Sequence, residues 1–230
     1  MTNWKERTEK VIGKDGSEKL KNSSVIVFGL GGVGSYVAES LARVGLGRIG
    51  IVDRDFVDIT NKNRQLIALD STLGLDKVSV LKKRLLDINS EIIIEAYKIN
   101  YSETSQSLID LKNYDFIADA IDDVKAKLLL IKNAEENKIP IISSMGTGNK
   151  LDPSKLIITK ISKTHTDPLA RRMRKLLKDI NLDPIVIYST EKPNNLSEDK
   201  RTPGSTPFVP PSAGLMIGSY IVRELLKWAT

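Results

Sequence analysis

The run Val-Ile-Val-Phe at residues 25–28 opens directly onto Gly29-Leu30-Gly31-Gly32-Val33-Gly34, and residues 34–44 then carry apolar spacing at Val37, Leu41 and Val44. Strand, glycine turn and amphipathic helix in that order leave few folds open. The glycines let the chain turn tightly and bring backbone N–H groups against a phosphate at the helix N-terminus. Asp53, at the end of a second strand over residues 49–52, follows Gly34 by nineteen residues. A carboxylate at that spacing holds ribose hydroxyls. Together these features favour a nucleotide site over a packing turn, without choosing between NAD and ATP.

The rest of the chain continues the alternation. Residues 77–88 read as a helix with Val78, Leu81, Leu85 and Ile88 on one face, and 124–137 as another. Residues 92–94, 116–118, 139–143, 156–159 and 185–188 are short apolar strands. Strands alternating with helices predict an α/β, Rossmann-like fold: a mainly parallel sheet covered by helices on both faces. Asp167-Pro168 supplies an N-cap and a first-turn proline for a helix to about Ile180, with Leu169, Met173, Leu176 and Ile180 as its apolar face. On the other side Arg171, Arg174, Lys175 and Lys178 recur at helical spacing as one cationic stripe. Residues 189–207, rich in Pro, Ser and Asn, predict a mobile loop before a final helix capped by Ser212 and ending near Trp228. No repeat or second domain is visible; we expect one domain over 1–230, with a nucleotide-binding half (1–150) and a substrate-facing half (151–230).

Composition bounds the chemistry. The 230 residues include no cysteine, which excludes disulfides, thiolate zinc sites and any thioester relay. The polar N-terminus and the lack of a long apolar run point to a cytoplasmic protein with no membrane partner. The net charge is +6, and residues 160–178 hold seven cations against the single acid Asp167, enough to account for all of it. So local an excess favours a polyanionic partner.

Beyond the glycine turn come Asp53-Arg54-Asp55, Asn61-Lys62-Asn63-Arg64-Gln65, Gly74-Leu75-Asp76-Lys77 and Asp119-Ala120-Ile121-Asp122. In this ordered series, over most of residues 7–145, the chain resembles the ThiF/MoeB/HesA superfamily, adenylating enzymes related to ubiquitin-activating enzyme. The resemblance implies ATP and Mg2+ as cofactors, with Gly29, Gly31, Gly32 and Gly34 at the nucleotide and Asp53 on its ribose. It also implies Asn61, Arg64 and Lys77 on the triphosphate and Asp122 on the metal. Arg7, in Arg-x-x-x-x-Ile-Gly, resembles the arginine that reaches the neighbouring subunit's phosphates, which implies a homodimer and makes Arg7, Arg64, Lys77 and Asp122 the catalytic set. Physical chemistry asks for the same residue types, because attack of a carboxylate on an α-phosphate needs the charge of nucleophile and pyrophosphate screened.

Two departures narrow the resemblance. Members that activate carrier proteins often have paired CxxC zinc motifs or a catalytic cysteine, and this chain has neither, so no zinc is expected. The segments 163–170, 188–193, 203–205 and 208–210 resemble one branch, the tRNA threonylcarbamoyladenosine dehydratases. That implies ATP-dependent cyclisation of a threonylcarbamoyl group on tRNA through an acyl-adenylate, a ligase-type reaction. Intramolecular attack in a held geometry, with an effective molarity of ~10⁵ M or more, needs no protein nucleophile. His165 and the stripe Arg171, Arg174, Lys175 and Lys178 are then candidate tRNA contacts; for His165 a plain loop position is at least as good a reading. An adenylyltransferase acting on a ubiquitin-like protein's C-terminal glycine, a non-catalytic nucleotide-binding subunit and a nicotinamide dehydrogenase are the alternatives. A sulfur-carrier or desulfurase-system partner is left open.

Overall fold

The fold, taken from a computed structural model, is described for residues 4–196, 198 and 202–228. One seven-stranded sheet runs through it: β1 (Ser24–Phe28), β2 (Arg48–Val52), β3 (Ile93–Tyr97), β4 (Phe116–Asp119), β5 (Ile141–Ser144), β6 (Leu156–Lys160) and β7 (Ile185–Ser189). The spatial order is β3-β2-β1-β4-β5-β7-β6, all parallel except β6, which pairs antiparallel with β7 at one edge. The chain therefore works outward from β1 to β3, then crosses to β4 on β1's other side. That reversal opens a crevice beyond the C-terminal ends of β1 and β4, where ligands of open α/β sheets bind.

Both faces of the sheet are covered, as the alternation predicts. Val25 and Val27 of β1 point to one side, into a core shared with α2 (Gly34–Val44), α3 (Lys77–Ile88) and α6 (Val209–Leu226). Ile26 and Phe28 point the opposite way, against Leu130 and Ala134 of α4 (Val124–Glu136). A third core joins α4 to α5 (Pro168–Lys178) through Ile131, Met173 and Tyr188.

Two sequence expectations need correction, and one element was not read at all. The unread element is a helix before the first strand, α1 (Glu6–Lys21), which bends where Gly13 leaves helical geometry and packs on α2 and α6. The last helix begins at Val209, three residues before Ser212, because Pro210 and Pro211 fit a first helical turn, where no N–H is required. The buried face of α5 is Ala170, Met173 and Leu177; of the predicted face only Met173 is fully buried, Leu169 packs partly against the same core, Leu176 is half-buried, and Ile180 lies beyond the helix end and is exposed.

Within the predicted mobile loop, residues 197 and 199–201 lie outside the described residues; the flanking parts are tied down. The Glu191 carboxylate accepts from Leu151 N–H and Asp152 N–H, and Asn194 N–H donates to Asn149 O. Asn149 Oδ1 accepts from Gly204 N–H at 2.6 Å.

Candidate active site

A cleft of about 650 Å³ sits at the predicted crevice, of the size that holds a small ligand. Its walls come from the segments following β1, β2, β4 and β5, together with Pro193, Gly204 and Ser205 from the second half of the chain. Of the sequence candidates, Gly29, Gly31, Gly32, Asp53, Asn61, Arg64, Lys77 and Asp122 all line it.

The four glycines divide their work. Gly29 has φ +82°, and a Cβ there would stand 2.6 Å from Ala120 O; a Cβ on Gly34 would stand 1.8 Å from Gly29 O. These two are therefore set by the closeness of the turn to itself and to the end of β4. Gly31 and Gly32 face the cleft. Leu30 N–H, inside the turn, donates to Asp53 Oδ2 at 2.6 Å, and Asp55 N–H to Asp53 Oδ1 at 2.8 Å. Each carboxylate oxygen so held keeps a free acceptor direction for a hydroxyl.

The stretch after Asp55 is ordered by a local cap. Asp58 accepts from the N–H and the hydroxyl of Thr60, and these two bonds hold its carboxyl below the usual range. The resulting 3-10 turn, Ile59–Asn61, buries Asn61 and carries on to Arg64, whose Nη1 donates to Thr60 O and Asn63 Oδ1, both at 2.9 Å. Lys77 is the first residue of α3 and only 5% exposed, its Nζ 3.3 Å from Asp55 Oδ2. That is a long contact to a carboxylate that is itself 55% exposed.

Asp122 is exposed at the cleft, and its carboxylate makes no ion pair or hydrogen bond among the described residues. No group of three His, Cys, Asp or Glu that could cage a metal occurs among them. One open carboxylate fits Mg2+ on a nucleotide, because that ion takes one or two carboxylates and completes its shell with phosphate oxygens and water.

Other sequence candidates lie outside the cleft. Arg7 is exposed on the first turns of α1 and does not line its own chain's cleft. His165 is exposed, its ring edge-on to that of buried Tyr188 at 5.6 Å, and it does not line the cleft either. Arg171, Lys175 and Lys178 project from α5 into solvent, but Arg174 does not belong with them. Its Nη1 donates to Thr164 O at 2.6 Å and Thr164 Oγ1 at 2.7 Å, fastening α5 to the loop before it.

Sequence reasoning missed three features. Gln65 lines the cleft, buried, with an Oε1 that has no hydrogen-bond partner among the described residues. Asp119 and Lys127 form a fully buried ion pair beneath the cleft. Lys150 pairs with Asp167, which also accepts from Gly146 N–H and Ala170 N–H, so one carboxylate caps α5 and fixes the loop after β5. Only the capping role of Asp167 had a signal in the sequence, its place before Pro168.

Comparison with known proteins completes the description. The family model described as the ThiF family matches residues 5–230. The chain is 47% identical over 238 residues to the tRNA threonylcarbamoyladenosine dehydratase of Bacillus subtilis, covering 96% of this chain and 94% of that protein. The fold superposes on crystal structures of Escherichia coli tRNA N6-threonylcarbamoyladenosine dehydratase, TcdA, at 30% identity and 96% coverage of this chain, 93% of that one. The TM-score is 0.91 for the AMP complex and 0.88 for the ATP complex. Similarity to the adenylyltransferase and sulfurtransferase MOCS3 of Aedes aegypti, 41% identical over 132 residues, covers 57% of this chain and 30% of that protein.

Proposed function

Because the chain belongs to the ThiF family, we propose that it is an ATP-dependent enzyme that dehydrates threonylcarbamoyladenosine in tRNA, closing a ring through an acyl-adenylate. One observation carries this reading. The glycine turn, Asp53, Arg64, Lys77 and Asp122 share a single cleft with Asp167, Gly204 and Ser205 of the substrate side, in a chain similar to the dehydratases over nearly its whole length. Similarity to the carrier-protein adenylyltransferase stops at 57% of the chain, which disfavours that alternative.

The residues divide the reaction as follows. Asp53, its two oxygens already oriented by Leu30 N–H and Asp55 N–H, accepts the ribose hydroxyls of ATP. Backbone N–H groups at Gly31 and Gly32, ahead of α2, face the phosphates. Arg64 and Lys77 neutralise the triphosphate as the threonyl carboxylate attacks the α-phosphorus and pyrophosphate departs with the electrons of the broken P–O bond. Preorganised charge of this kind is worth on the order of 3 kcal/mol of barrier per contact. Asp122 would hold Mg2+, which when bound screens the phosphate oxygens. The carbamoyl group of the same nucleoside then attacks the mixed anhydride and gives up its proton, AMP leaves with the electrons of the broken C–O bond, and the ring closes with no protein nucleophile.

The same reading assigns residues 1–150 to the nucleotide and 151–230 to the substrate. Arg7 acts on a neighbouring subunit's phosphates, since it does not line its own cleft. Exposed Phe56, Ile59, Leu69, Leu73 and Leu75 give a second copy an apolar surface to cover. The tRNA backbone is met by Arg171, Lys175 and Lys178, with His165 close by and Arg174 left as an internal tie. The test is ATP–pyrophosphate exchange: we expect it to require tRNA bearing threonylcarbamoyladenosine. Exchange driven instead by a carrier protein ending in glycine would overturn the assignment.

A further inference from the structure

We propose that Lys127 is a positioning residue for Asp122, holding from beneath the cleft the turn that presents this carboxylate to metal-bound ATP. The inference rests on the adenylating reading above. Lys127 and Asp119 are both fully buried, with Lys127 Nζ donating to Asp119 Oδ2 at 2.8 Å. Ser143 Oγ of β5 donates to the same oxygen at 2.7 Å, and Ile121 N–H to Oδ1 at 3.1 Å. One carboxylate thus ties together α4, β5 and the turn 119–122. The turn is also gripped from its other side, where Ala120 N–H donates to Phe28 O at 2.8 Å and Ala120 O leaves no room for a side chain at Gly29.

Apolar residues of similar volume often match a buried ion pair in stability, so stability does not account for this one. What it adds is geometric. Asp122 makes no hydrogen bond or ion pair of its own among the described residues, and it is held only through its two neighbours: Asp123, which caps α4 by accepting from Ala126 N–H, and Ile121, whose N–H is bound to the carboxylate that Lys127 holds. A group that orients a metal's carboxylate acts through that carboxylate, and losing it weakens the metal's contribution.

The experiment is calorimetric titration of the full-length protein with ATP, with and without Mg2+, for wild type, Lys127→Met, Lys127→Arg and Ser143→Ala. In Lys127→Met the gain in ATP affinity conferred by Mg2+ should fall about 10- to 100-fold, with metal-free affinity changed less than about threefold. Lys127→Arg, which keeps the cation, should retain most of the gain, and Ser143→Ala should move in the same direction by a smaller factor. A folded Lys127→Met with the wild-type gain overturns the inference, as does an equal fall with and without metal. Should Lys127→Met not fold, Ser143→Ala decides, and an unchanged gain overturns it. Wild type that binds no ATP in either condition overturns the adenylating reading and this inference with it. Wild type that binds Mg·ATP normally, beside a Lys127→Met that does the same, overturns this inference alone.

Discussion

The front wall of the cleft and the floor beneath it each contain a buried lysine, and the two are held in different ways. Lys77, in the front wall, is 6% exposed at its side chain and stands 3.3 Å from a carboxylate that is half in solvent. Lys127, in the floor, is fully buried and 2.8 Å from a carboxylate that is fully buried too. Lys150, toward the substrate side, repeats the floor pattern, with its Nζ 2.7 Å from Asp167 and 2.6 Å from Gly146 O. Burial by itself does not identify a functional lysine. A loose contact to an exposed partner leaves the ammonium available to a phosphate, whereas a tight, dry pair commits it to the scaffold.

That contrast is open to attack by mutation. Lys150→Met leaves Asp167 buried without its partner and should cost about 3–5 kcal/mol of folding stability. Chemical denaturation would measure it, and a cost near zero would mean that the pair is not the fixture its geometry suggests. Lys77→Ala should do the reverse, cutting tRNA-dependent pyrophosphate exchange by about 10²- to 10³-fold with little change in melting temperature. Asp122→Asn should behave like it, and either variant with wild-type exchange removes that residue from the mechanism. Mixing Arg7→Ala chains with Lys77→Ala chains should restore about one working site per mixed dimer, because each chain supplies what the other lacks. Mixed dimers no more active than the parents would place Arg7 outside the partner's site.

Smaller effects belong to the surface. Changing Arg171, Lys175 and Lys178 to alanine should lower the slope of log tRNA affinity against log salt by ~0.7 to 0.9 per lost phosphate contact and leave ATP binding alone. Arg174→Ala should instead loosen α5; if its effect lay in the salt slope with stability intact, the separation of Arg174 from the stripe would be wrong. Arg48 and Glu95, far along the sheet, serve as a pH control. Hydrogen bonds from Arg48 hold the Glu95 carboxyl below 4.5 against the opposing effect of burial, with Tyr114 assisting. The stability this adds is complete above the unfolded carboxyl's range and disappears as the pH falls through the lowered folded value. With both side chains about a third exposed, it should amount to about 1 kcal/mol or less. Glu95→Gln should therefore flatten the acid limb of the melting-temperature profile slightly, and an unchanged limb would remove this pair as its source.

The same contrast explains how much could be read from the chain. The front wall is local: the glycine spacing and Asp53 at the end of its strand each lie in one short stretch and were legible, whereas Asn61, Arg64 and Lys77 came from the resemblance and the turn that carries the first two was not read. The floor is not local. Lys127 and Asp119 lie eight residues apart, and Ser143 comes from another strand; only the parallel pairing of β4 with β5 brings them together. Lys127 reads as an ordinary solvated lysine until the sheet is assembled. Arg174 misled for a related reason, since helical spacing gives a shared side but not the loop that folds over one end of it. The early start of α6 was hidden because prolines read as breakers unless they fall in a first turn.

The central claim is the reaction itself, and mass spectrometry of nucleosides from tRNA incubated with this protein, ATP and Mg2+ tests it most directly. Threonylcarbamoyladenosine should be converted to a species lighter by one water, with AMP and pyrophosphate released in step and nothing formed when ATP is omitted. Substrate nucleoside recovered unchanged, from protein that binds ATP and tRNA, would contradict the account.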